Sequence, residues 1–224
     1  MNTRVSILYI TVALVLAMST ATLRAADFID LRGVTPVQGD LAAGEVKAAV
    51  CIACHGPNGN SIIPTFPRLA GQRIDYMYWR LVDYTRGARP DSPMTPMVAN
   101  LSDTDLRDLA AYFAEQVPTA DTTPTAPPMT HGATLFREGD PARGVPPCQG
   151  CHGADAQGLN DARFLTWPVL RGQHADYIIT RLMEYREGKY ATTSDNLIMQ
   201  SVAHGLDDDD MRAIGAWLAS LPPN

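Results

Sequence analysis

Cys51-Ile52-Ala53-Cys54-His55 and Cys148-Gln149-Gly150-Cys151-His152 hold every cysteine of this 224-residue chain. Three chemistries compete for a Cys-x-x-Cys pair. A thioredoxin-like redox pair needs a βαβ setting, and a zinc knuckle needs two more ligands at short spacing. Neither surrounds these pentads. The trailing histidine instead matches the attachment signature of haem c. On one helical turn, two thiols three residues apart reach the two vinyl groups of one porphyrin, and the next side chain projects an imidazole towards the iron. Two such pentads leave no cysteine for a disulfide or a free thiol. The expected cofactors are two covalently attached haem c groups, on Cys51 and Cys54 and on Cys148 and Cys151, with His55 and His152 as axial ligands.

Laying Cys51 on Cys148 exposes an internal repeat, a signal that decides architecture when present. Phe66-Pro67-Arg68-Leu69-Ala70-Gly71-Gln72 answers to Trp167-Pro168-Val169-Leu170-Arg171-Gly172-Gln173. Asp75-Tyr76 pairs with Asp176-Tyr177, Arg80-Leu81 with Arg181-Leu182, and Leu101-Ser102-Asp103 with Leu206-Asp207-Asp208. An iron held by His on one side needs a second axial ligand for electron transfer, commonly Met or His. Met94 and Met199 each stand seven residues before the repeated leucine, Leu101 or Leu206. They are the expected sixth ligands, read against the alternative that a methionine simply fills a core. Met97 is the second candidate in the first half, although its repeat partner is Val202. His204 competes in the second half, but Ala99 holds its aligned place. Met94 also lies in Ser92-Pro93-Met94-Thr95-Pro96, a segment expected to be a ligand-bearing loop rather than helix. His131 and His174 read as surface or supporting residues, since Arg73 replaces His174 in the first half.

Helical periodicity recurs and strand alternation does not, so the fold class expected is all-α. Ile74, Met77, Tyr78 and Leu81 follow the i, i+3, i+4, i+7 pattern, as do Leu106, Leu109, Ala110 and Phe113, then Met211, Ile214, Gly215 and Leu218. Ser102 and Asp207 read as N-caps. The Asp207 to Asp210 run reads as helix-dipole and solvent-face charge, not a metal site. Val117 to Thr130 is rich in Thr, Pro and Ala, the composition of an extended linker. The first residues read as an export leader, with positive charge before Val5 and an apolar run to Met18. Small residues then permit cleavage after Ala21 or Ala25. The uncharged stretch Val5 to Leu23 leaves an uncleaved anchor as the alternative. The resulting division is a leader over 1–25, a first domain over 26–117, a linker over 118–130 and a second domain over 131–224.

Composition narrows the rest. The chain is 46% apolar and 19% charged, with net charge −6; losing the leader removes Arg4 and Arg24 and no acid, which moves the charge to −8. An acidic chain without basic tracts does not suit nucleic-acid binding. The charge suits either solubility or steering towards basic docking patches.

Taken together, the two pentads, the two Pro-x-Leu-x-Gly-Gln blocks, the paired Met94 and Met199, and the matching last helices resemble the di-haem cytochromes c of the cytochrome c4 family. The resemblance spans essentially the whole chain after the leader, and only the Thr/Pro-rich linker departs from it. It implies two tandem class I cytochrome c domains and periplasmic electron carriage from a cytochrome bc-type donor to a terminal oxidase. It further implies that the carbonyls of Pro67 and Pro168 accept a hydrogen bond from the iron-binding histidines. The rival function is enzymatic, a di-haem peroxidase or a thiosulfate dehydrogenase. A peroxidase needs an open iron position, and the thiosulfate enzymes use a Cys axial ligand that this chain cannot spare. A bound cytochrome subunit of a membrane complex keeps the chemistry and changes the partner.

Overall fold

The computed structural model describes residues 27–119 and 130–223. The leader over 1–25 and most of the linker lie outside the described residues. The chain builds the same helical unit twice. In the first half come α1 (Leu41–Lys47), α2 (Ile52–His55), α3 (Ile74–Thr85), α4 (Met94–Val98) and α5 (Asp103–Ala114). The second half repeats the series as α6 (Thr130–Glu138), α7 (Gln149–His152), α8 (Ala175–Arg186), α9 (Ser194–Ala203) and α10 (Asp208–Ser220). Among the described residues strand pairing is confined to two isolated bridges, so the all-α expectation holds.

Each unit is organised by its first helix crossing its last at a glycine. A Cβ on Gly44 would stand 2.1 Å from the Asp108 carbonyl oxygen of α5, and one on Gly132 the same distance from that of Ala213 in α10. Only a hydrogen at these two positions lets the backbones meet so closely. The third long helix, α3 or α8, packs against the last helix and closes the core. Leu106, Leu109, Ala110 and Phe113 are buried with Met77 and Tyr78 in the first unit. Met211, Ile214 and Leu218 are buried with Leu135, Phe136, Ile178 and Leu182 in the second. These are the stripes that the sequence periodicity marks.

Both last helices begin in a full capping box: Ser102 with Asp105, and Asp207 with Asp210. Reciprocal bonds of this kind satisfy two backbone N–H groups that a helix start leaves orphaned. Asp210 does more than the solvent-face reading allows. It is 2% exposed, accepts from Arg143 at 2.5 Å and sits 2.9 Å from His131 Nε2. Burial alone would raise its carboxyl, but the bonds from Arg143, the Asp207 backbone and His131 outweigh burial and hold it at about 2. An unfolded aspartate titrates near 3.9, so this group stabilises the fold fully above about pH 4, and the contribution fades as pH falls towards 2. We expect Asp210→Asn to lower unfolding free energy by about 2 kcal/mol at pH 7. In urea melts the difference from wild type should close between pH 4 and pH 2; a difference that persists at pH 2 refutes the assignment.

The two units pack directly on each other. Residues 27–31 leave the first unit and lie along the second: Ile29 N–H donates to the Thr192 carbonyl at 3.0 Å, Ser194 N–H to that of Ile29 at 3.1 Å, and Leu31 N–H to Ser194 Oγ at 2.9 Å. At the centre of the contact the repeat pairs with itself. Gln72 reaches the backbone of Val169, and its repeat counterpart Gln173 reaches the backbone of Arg68, the counterpart of Val169. Arg73 Nη1 donates to the Leu159 carbonyl at 2.6 Å, while His174 Nε2, at the equivalent position, meets the Ser61 carbonyl at 2.9 Å.

Candidate functional site

Cys51 stands at the N-cap of α2 and Cys148 at the N-cap of α7, each a single turn of four residues. The bonds His55 N–H to Cys51 O, 3.0 Å, and His152 N–H to Cys148 O, 2.9 Å, close these turns. Residues i, i+3 and i+4 share a helix face. Both thiols and the imidazole of each pentad are therefore presented together. Gly56 (φ 74) and Gly153 (φ 76) end the turns in a backbone region that favours glycine. The approach differs between halves. Residues 41–47 run into a 3-10 turn and then α2, so the first pentad ends a nearly continuous helical stretch. In the second half Pro146 and Pro147 intervene and α7 stands apart from α6.

Both histidines are buried. His55 Nδ1 lies 2.9 Å from the Pro67 carbonyl oxygen, and His152 Nδ1 lies 3.3 Å from that of Pro168. A carbonyl only accepts, so the proton must sit on Nδ1, and Nε2 is the nitrogen left with a lone pair for a metal. Burial lowers the pKa of His55 and takes His152 down to about 4, against the opposing pull of the proline carbonyls. Both rings are thus neutral at pH 7, the form that ligates. The thiols carry no disulfide. Burial pushes Cys148 up to about 11 and raises Cys51 and Cys151. Among the described residues no cluster of three or more His, Cys, Asp or Glu is placed to hold a metal ion.

Met94 is the first residue of α4 and half-buried; Met199 lies within α9, half-buried, and packs against the core of the second unit. The expectation of a loop at Met94 is therefore corrected. Pro96 sits in the first turn of α4, where backbone N–H groups have no intrahelical acceptor, so its missing N–H costs nothing there. Met97 is 51% exposed, and His204 is exposed at the C-cap of α9. His131 lies at the surface; His174 is buried in the contact between units.

Sequence reasoning assigned no role to the polar residues between the units. Arg80 and Arg181, repeat counterparts, converge there with Arg89, which is 1% exposed and stacks over the Tyr190 ring at 4.3 Å. Asp83 and Glu184 are the acids beside them. Arg80 Nε, Arg89 Nε and Nη2, and Arg181 Nε are buried without a hydrogen-bond partner. Orphaned guanidinium donors in a buried site call for an anion. Haem c brings two propionate carboxylates, so these arginines as well as the pentads fit the cofactor. Repetition of Arg80 as Arg181 was the sequence signal for this cluster.

A family model for cytochrome c matches residues 42–116 and again 129–222. The cytochrome c4 of Azotobacter vinelandii is 42% identical over 204 residues, with 86% of this chain and 94% of that protein aligned. That of Pseudomonas aeruginosa is 44% identical over 196 residues at the same coverage. The chain belongs to the cytochrome c4 family. The crystal structure of reduced recombinant cytochrome c4 from Pseudomonas stutzeri superposes with a TM-score of 0.69 at 40% identity, covering 82% of this chain and 99% of that one. As a member of that family the protein is a di-haem electron-transfer cytochrome, not an enzyme, with one covalent haem c on each pentad.

Proposed function

We propose that His55 with Met94, and His152 with Met199, are the axial ligand pairs, and that the protein carries single electrons through the periplasm from a cytochrome bc-type donor to a terminal oxidase. The observation that carries the ligand assignment is the repeat itself. Two buried histidines with Nδ1 on a proline carbonyl recur in register with two half-buried methionines, whereas Met97 and His204 are exposed and unrepeated. Haem c supplies one-electron Fe(II)/Fe(III) exchange, and a thioether opposite an imidazole favours the ferrous state.

The chain's own contribution is positional. Pro67 and Pro168 hold each imidazole in one tautomer and raise its basicity. The guanidinium cluster would offset the propionate charge. With both axial positions filled from the protein, no site remains for a substrate, which supports carriage over peroxidase chemistry. Exposed Val50 and Ile52, either side of Cys51, suit transient apolar contact with a redox partner. No helix among the described residues is long and apolar enough to cross a membrane. The leader reading, with cleavage after Ala21 or Ala25, supports export as a free carrier; retention of the Val5 to Leu23 segment in the purified protein would favour a bound subunit.

The test is an oxidised and a reduced visible spectrum with a pyridine haemochrome count. Two low-spin haems per chain with a Met–iron charge-transfer band are expected. A high-spin fraction that binds cyanide readily would overturn the ligation.

A further inference from the structure

The Pro67–Arg68 peptide is engaged at both ends. Its carbonyl accepts from His55 Nδ1 at 2.9 Å, and its N–H donates across the unit boundary to Gln173 Oε1 at 2.9 Å. The Pro168–Val169 peptide repeats this arrangement in reverse: its carbonyl faces His152 Nδ1 at 3.3 Å, and its N–H donates to Gln72 Oε1 at 2.8 Å. Each glutamine is buried, with both its amide oxygen and its amide nitrogen hydrogen-bonded. Gln173 Nε2 donates to the Arg68 carbonyl at 3.0 Å and Gln72 Nε2 to that of Val169 at 2.9 Å. Each Oε1 also accepts the next N–H of its own chain, from His174 or Arg73, at 3.0 Å. Two N–H groups converge on each Oε1 and a carbonyl meets each Nε2, so a flipped amide would set donors against donors.

We propose that Gln72 and Gln173 are crossed positioning residues, each setting how strongly the iron-binding histidine of the other unit donates to its iron. The inference rests on His55 and His152 being the axial ligands proposed above. The physical basis is the polarisation of a peptide bonded at both ends. An acceptor on the N–H draws the peptide towards its charge-separated form and makes the carbonyl oxygen a better acceptor. That oxygen then pulls harder on the Nδ1 proton, which gives the imidazole more anionic character and favours Fe(III). Each unit thus lowers the reduction potential of the other through the interface, and separation of the units would raise both.

The test uses holoprotein with 15N-labelled histidine, observed by NMR in the diamagnetic reduced state and through a potentiometric titration followed on the same signals. Gln173→Leu is expected to move the His55 Nδ1–H resonance upfield and leave that of His152 in place. It is also expected to raise the N-terminal haem's potential by an about threefold change in equilibrium constant, about 30 mV at 59 mV per decade. Gln72→Leu should give the mirror result at His152, so either variant carries the test if the other fails to fold. Arg73→Leu removes the cross-unit bond to Leu159 and keeps both glutamine pairs; its histidine signals should stay put. A shift confined to the mutated unit's own haem, no shift at all, or an equal shift in Arg73→Leu would overturn the proposal. A wild-type spectrum in which either histidine is not bound to iron would instead refute the ligation reading, and this proposal with it.

Discussion

Cys148→Ser combined with Cys151→Ser leaves a chain with one covalent haem and a second unit that does not hold its native fold. A domain of under a hundred residues buries only about 60–65% of the surface of its unfolded chain, and its net stability is about 5–10 kcal/mol. In this unit Cys148 and Met199 both line the core alongside Leu135, Met211 and Leu218. A porphyrin held by Cys148 and Cys151 would add its apolar surface to this core. Without it the core side chains that would face the ring lose those contacts. The loss exceeds what the helix crossing at Gly132 can retain. The expected readout is a haemochrome count falling from two to one. Amide exchange protection should be lost over 130–223 and retained over most of 27–119. The exception within the first unit is residues 27–31, which bond to Thr192 and Ser194 and should lose protection with the second. A double variant that keeps native protection throughout would show that the second unit folds without its haem.

Replacing Met94 or Met199 with histidine is the second large effect. Axial ligand identity moves haem potentials across a span of about 0.8 V, and exchanging a thioether for an imidazole removes the preference for Fe(II). We expect the potential of the mutated half to fall by on the order of 0.2 V, with loss of half the Met–iron band intensity. The other haem should move much less. Met97→Leu and His204→Ala are the paired controls, and both should leave band and potentials unchanged. A band lost in Met97→Leu would reassign the first ligand, and one altered in His204→Ala would reopen the second. The short α4 makes the first comparison sharp, because Met94 and Met97 lie one turn apart on it.

Much of this was legible from residue spacing, and the reasons are local. A Cys-x-x-Cys-His pentad is complete within one helical turn, so its chemistry needs no tertiary contact to be recognised. The capping boxes at Ser102 and Asp207 close over three residues. The stripes of α3, α5 and α10 follow from helical period alone. Other features were misread where a local rule met a special position. Two prolines around Met94 argued for a loop, yet a proline in a first turn breaks no hydrogen bond. Four consecutive aspartates argued for a solvent face, yet Asp210 is the one turned inward to Arg143 and His131.

By itself the sequence determined that there are two haem c sites, that the fold is helical and that the unit is repeated, because each of these is written in spacings of a few residues. Only the tertiary structure decided that the units meet along their own repeated segments, with Gln72 on Val169 and Gln173 on Arg68. Those partners lie 97 and 105 positions apart. No periodicity announces a pairing across such a separation, since it arises from the packing of two finished surfaces and not from the chain's local geometry.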